Sequence, residues 1–189
     1  LLAATNRRLE LAPSGAANAS DPGERLFRVD LAVVQSGDLA DALAEVRDLA
    51  DRSDNDWIAA MSRVGLGTLA LARGRLEEAR ALLDEALGLS LAAHSTRSVT
   101  LCLAAFARWA LVAGDPERAA LVAGAAEGLR RRAGLRAWPI LRQGEADLVI
   151  QVRQSLGADH FDQAFATGTP LPQRDAVAAA RAGTAPAPR

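Results

Sequence analysis

This chain of 189 residues has no lysine and no tyrosine, a single cysteine, two histidines and only 4% aromatic residues. Without lysine there is no Gly-x-x-x-x-Gly-Lys-Ser/Thr phosphate loop, whose lysine must reach the nucleotide phosphates. With Cys102 alone, a disulfide within the chain is impossible, and nothing in cysteine usage points to export. The 22 basic residues, all arginine, nearly cancel 23 acidic ones and leave a formal charge of -1. That balance lacks the basic excess that grips a phosphate backbone, so no direct nucleic-acid contact is expected. The longest uncharged apolar stretch, Val99 to Ala107, falls far short of the ~20 residues that span a bilayer, and no membrane contact is expected.

Candidate chemistry is equally sparse. His94 and His160 stand far apart with no ligand spacing around either, so no metal is expected. Cys102 has apolar neighbours on both sides and reads as a buried, inert thiol, because a nucleophile needs a nearby base. Gly65-Leu66-Gly67 has the look of a nucleotide loop but lies inside an amphipathic helix with no preceding strand, and reads as close helix packing. Arg130-Arg131-Arg132 fans around a helix at about 100° per residue and reads as a solvated helix end that complements the dipole. Trp57, Trp109 and Trp138 read as anchors of helix seams. No catalytic, cofactor-binding or metal-binding residue is assigned, no cofactor is expected, and the chain is read as a non-enzyme of the cytoplasm.

What the sequence does contain is repetition. Gly37-Asp38-Leu39-Ala40-Asp41-Ala42, Gly74-Arg75-Leu76-Glu77-Glu78-Ala79 and Gly114-Asp115-Pro116-Glu117-Arg118-Ala119 fit one template, with glycines 37 and then 40 residues apart and an alanine five positions after each. A glycine between two apolar-periodic segments ends one helix in the left-handed conformation and starts a tight turn. The spacing therefore predicts helix pairs: first helices over 25–36, 57–73 and 96–113, second helices over 38–51, 76–91 and 116–133. Asp56 and Ser95 are the expected N-caps, and Pro116 suits a first turn. Ala42, Val46, Leu49, then Ala79, Leu83, Ala86, then Ala119, Ala123, Ala126 each mark one helix face, and the leading alanine is where paired helices should approach closest.

Around these pairs, residues 1–12 read as a remnant helix of a preceding repeat, 13–24 as a flexible loop, 25–133 as three helix pairs, 134–182 as C-terminal capping helices, and 183–189 as an Ala-Pro linker. Within the cap, helices are expected over 140–156, 159–166 and 173–181. The missing initiator methionine suggests a fragment of a longer protein.

The small residues at mid-helix, Gly67 and Ala107, each seven before a turn glycine, give the pairs a resemblance to tetratricopeptide repeats. The family's aromatic positions are filled by Ala70, Leu83, Ala110 and Ala123, the first copy has Asp30 at its small position, and the period exceeds 34. The expected fold class is thus all-α, a tetratricopeptide-like α-solenoid of antiparallel helix pairs with a C-terminal helical cap. Further along, Gly114-Asp115, Ala119, Val122 to Glu127, Leu129-Arg130, Leu156-Gly157, Phe161, Ala164 to Ala166, Gly168, Leu171 and Ala176-Val177 resemble the C-terminal helical region of large actinobacterial transcriptional regulators of the LuxR type that carry an ATPase module. That resemblance implies a segment that senses or transmits, with ATPase and DNA-reading modules elsewhere. It also implies a protein or peptide partner, which includes other domains of the same regulator. A free-standing adaptor and a small-molecule sensor with its own effector are the alternatives. Transferring the tetratricopeptide groove onto this chain places a concave surface at Phe27, Leu31, Val34 and Gln35, at Val64, Thr68 and Leu71, and at Ala104, Arg108 and Leu111. The groove would be mostly apolar, with Arg108 as its one charge.

Overall fold

A computed structural model describes residues 55–136 and 139–182, together with Asp48 and Arg52. Among the described residues all regular structure is helical: α1 (Asp56–Ala72), α2 (Leu76–Ala92), α3 (Thr96–Val112), α4 (Pro116–Arg132), α5 (Pro139–Leu156), α6 (Ala158–Gly168) and α7 (Gln173–Arg181). These bounds lie within two residues of those that periodicity and turn glycines predict. The expected remnant helix, the 13–24 loop, most of the first helix pair, Trp138 and the 183–189 linker lie outside the described residues.

The first four helices are each 17 residues long and are joined by three-residue turns of one construction. Residues 74, 94, 114 and 134 recur every 20 positions, and all four have a left-handed backbone, with φ of 72°, 49°, 86° and 65°. In each turn the next residue's N–H reaches back five positions: Arg75 to the Ala70 carbonyl, Ser95 to Ser90, Asp115 to Ala110 and Leu135 to Arg130. This Schellman-type closure satisfies carbonyls that the helix end leaves orphaned. Three of the four positions are glycine, which takes positive φ without a Cβ clash; His94 is the exception. The repeating unit is one helix plus one turn, and a histidine at its second copy hides the 20-residue step from a search for glycines.

Helix starts follow local chemistry. Ser95 Oγ accepts from the Ser98 N–H, and Asp115 Oδ1 from the Arg118 N–H, with Pro116 in the first turn. At α1 the N-cap is Asn55 rather than the expected Asp56. Its Oδ1 accepts from the N–H groups of Trp57 and Ile58 at 2.9 and 3.4 Å, and Asp56 contributes charge in the first turn instead.

Packing runs between neighbours: α1 on α2, α2 on α3 and α3 on α4, with α1 also against α3, and α5 against α3 and α4. The first seam is close at Gly67, where a Cβ would come to 3.0 Å from Leu83 Cδ2 and 3.4 Å from the Ala79 carbonyl oxygen. Ala79, Leu83 and Ala86 are fully buried, as the one-face reading requires; in the later triplet Ala119 and Ala126 are buried and Ala123 is half-buried. An even closer seam joins α4 to α6. A methyl on Gly124 would overlap the Phe165 carbonyl oxygen, one on Gly128 the Thr169 carbonyl oxygen, and one on Gly168 the Leu121 carbonyl oxygen. Three glycines thus let two helix backbones touch. Over the other side of α4, α7 buries Ala176, Val177 and Ala180 against α4 and α3.

Candidate functional site

The groove positions transferred from tetratricopeptide repeats fall on α1 and α3, apart from Phe27, Leu31, Val34 and Gln35, which lie outside the described residues. On α1, Val64 is half-buried and packs on the core, Leu71 is buried, and Thr68 is exposed with its hydroxyl donating to the Val64 carbonyl at 2.9 Å. On α3, Ala104, Arg108 and Leu111 are all half-buried. Arg108 does not stand free in this surface: its Nη2 donates to the Gly144 carbonyl of α5 at 2.7 Å. The single charge expected to meet a partner is engaged by α5 within the fold.

A more organised centre surrounds Trp109, the largest fully buried side chain. Its indole N–H donates to the Leu76 carbonyl at the start of α2, 2.9 Å away. The guanidinium groups of Arg80 from α2 and Arg118 from α4 each lie 5.2 Å from the ring centroid. One ring from α3 therefore ties α2 and α4 by a hydrogen bond and two cation–π contacts, each worth about 0.5–1 kcal/mol. The Nε of Arg118 is buried without a hydrogen-bond partner, and the aromatic face beside it supplies part of the missing electrostatic compensation. Sequence reading identifies Trp109 as a seam anchor but misses the two arginines. Their positions, 29 before and nine after the tryptophan, follow no period.

The arginine run on α4 is a solvated end in part: Arg131 and Arg132 are exposed, whereas Arg130 is not. Arg130 is 9% exposed, and its Nη1 donates to Glu145 of α5 at 2.7 Å, with Glu127 at 3.8 Å. Arg132 donates to the carbonyls of Thr169 and Leu171, both at 2.6 Å, and so caps the C-terminal end of α6. Arg131 and Arg132 are both exposed, and of the two only Arg132 is tied to a neighbouring element by a hydrogen bond. The fan that denies the run one stripe aims two members at different neighbours. Beside it is an open depression of about 620 Å³, lined by Arg131, Arg132, Phe165, Ala166 and Pro170 among others. Phe165 packs its ring 5.4 Å from that of Phe161, over which Arg153 sits at 4.9 Å while also pairing with Asp162.

No family model, curated protein or solved structure matches this chain. Its chemistry has to be read from the residues alone. Cys102 is fully buried, and burial pushes its thiol up to about 11 against a small opposing effect of Ser90, whose Oγ lies 3.4 Å away. At neutral pH it is a protonated core side chain. Gly65-Leu66-Gly67 lies in the middle of α1, with Gly67 facing Leu83. His94 and His160 are exposed on separate elements, and no group of three His, Cys, Asp or Glu among the described residues is placed to hold a metal ion. Among the same residues, no helix is long and apolar enough to cross a membrane.

Proposed function

We propose that this chain is a helical-repeat scaffold, tetratricopeptide-like in its seams, that presents a surface to a protein partner or relays a signal within a larger transcriptional regulator of the LuxR type. The observation that carries this reading is the fourfold recurrence of a 17-residue helix followed, two residues after its end, by a left-handed turn residue. A structure built by repeating one unit extends its surface with every copy, which is the property used by repeat proteins that bind other chains. The small-residue contact of Gly67 with Leu83 and Ala79 supports the tetratricopeptide comparison, while a 40-residue pair is longer than the 34 of strict repeats. In this reading α5, α6 and α7 close one end of the stack. The partner surface is then the α1 face around Val64 and Thr68, because Arg108 on α3 is held by the Gly144 carbonyl of α5.

The discriminating experiment is to read the gene on both sides of this segment and to titrate the chain with the flanking domains made separately. A nucleotide-binding module upstream, a helix-turn-helix reader downstream and saturable binding weakened by Thr68→Arg support the proposal. A reading frame with neither module, or binding indifferent to Thr68→Arg, defeats it.

A further inference from the structure

We propose that α7 is a strap that opens as a unit, latched to α2 through Arg181 and Asp84, and that its opening is felt at the Trp109 seam. This inference stands on contact geometry and does not depend on the regulator reading. At nine residues α7 is shorter than the length at which an isolated helix persists in water, so it is helical because it is docked. It docks through Ala176, Val177 and Ala180, two of which bury a single methyl each. α6, by contrast, is held backbone to backbone at Gly124, Gly128 and Gly168 and further capped by Arg132. The firm element and the lightly held one meet at Thr169 to Pro172, where Pro170 and Pro172 keep the connection from continuing either helix.

The far end of α7 carries the latch. Arg181 Nε donates to Asp84 Oδ1 at 3.0 Å, Arg80 Nη2 donates to the Arg181 carbonyl at 2.8 Å, and Arg80 Nε lies 3.9 Å from Asp84 Oδ2. Both members of the ion pair remain about two-fifths exposed, so water competes for the link. Arg80 is also one of the two guanidinium groups over Trp109. Releasing Arg181 removes the carbonyl that holds Arg80 and frees that guanidinium to leave the ring. Tension or binding on the chain beyond Arg181 thus has a physical route to the α2–α3–α4 junction.

Amide hydrogen exchange of the full chain tests this. In the unmodified protein the amides of residues 176–181 should exchange by local opening, on the order of tenfold or more faster than those of α3, and with little sensitivity to low urea. Asp84→Arg should raise α7 exchange roughly threefold or more, leave α3 unchanged and move the Trp109 indole N–H resonance; adding Arg181→Asp should restore both. Exchange of α7 only together with α3 in the unmodified chain overturns the proposal without recourse to any variant. So does an Asp84→Arg chain in which α7 exchange and the Trp109 resonance stay where they were, or a double variant that fails to restore them.

Discussion

Gly124 and Gly88 are both interior helix glycines, yet replacing each by alanine should move stability in opposite directions. Helix propensity alone favours alanine by about 0.8–1 kcal/mol at either site. At Gly88 a Cβ meets nothing within 4 Å, so Gly88→Ala should realise most of that gain. At Gly124 the new methyl overlaps the carbonyl oxygen, carbonyl carbon and Cα of Phe165. These are backbone atoms, which no rotamer change can move aside, so α6 must shift away from α4 and give up the seam at Gly128 and Gly168 as well. Overpacking of this kind costs about 1–3 kcal/mol, and a rigid obstacle belongs at the upper end of that range. The net expectation is a loss of about 1–2 kcal/mol for Gly124→Ala against a gain of about 0.5–1 kcal/mol for Gly88→Ala. At about 2–4 °C per kcal/mol for a chain of this size, the two melting temperatures should separate by roughly 3–12 °C. Thermal melts followed by circular dichroism give the two temperatures, and urea denaturation gives the two free energies. If α6 detaches without global unfolding, the Gly124→Ala chain shows a smaller m value, since less surface remains to be exposed. A Gly124→Ala variant as stable as the parent, with an unchanged m value, would refute the α4–α6 packing.

His94→Gly should stabilise the protein by about 0.5–1 kcal/mol, because a left-handed backbone costs a side-chain-bearing residue about 1–2 kcal/mol and glycine's extra unfolded-state entropy returns only part of it; a drop in urea midpoint would contradict the positive φ at that turn. Ala79→Leu should cost about 1–3 kcal/mol, since residue 79 is fully buried beside the Gly67 approach, and an unchanged melting temperature would remove that contact from the seam. The absence of lysine and tyrosine leaves Cys102 as the only side chain with an ordinary titration between pH 9 and 11. Its folded pKa, about 11, lies above the unfolded 9.0, so its contribution is complete below pH 9 and is lost as pH rises toward 11, an effect on the order of 2 kcal/mol that Cys102→Ala should abolish. A stability profile over that range identical in Cys102→Ala would show that the thiol is not desolvated.

The helices and turns were legible in the sequence because their causes are local. A turn glycine, an acidic or hydroxyl cap and a 3.6-residue apolar period all act within one element, and they place both ends of each of the seven described helices within two residues. The all-α class follows from the same signals. The finer statement, how pairs stack and which face is open, depends on contacts between residues with no fixed spacing. Gly124 and Gly128 look from the sequence like weak points in an alanine-rich helix, and only the position of Phe165 and Thr169 shows that backbone meets backbone there. Likewise the groove was transferred by position, and nothing in the α3 sequence announces that Arg108 spends its charge on the Gly144 carbonyl.

The arginine run shows why such contacts escape a one-dimensional reading even when the local geometry is right. Three consecutive helix residues diverge by about 100° each, and that divergence is a sound reason to deny them a shared ligand stripe. It says nothing about solvent, because solvent is defined by what else the chain lays down. Here the next two helices both pack against α4, so the divergence gives Arg130 a carboxylate on α5 and Arg132 the carbonyls of Thr169, the C-cap of α6, and of Leu171 just beyond it. The negative end of α6 is thereby neutralised by a cation from α4, the same service that α4's own dipole would have drawn from it locally. One helix taken alone shows a solvated terminus; in the assembled protein Arg131 and Arg132 keep that exposure while Arg130 and Arg132 also tie α4 to the chain that follows it.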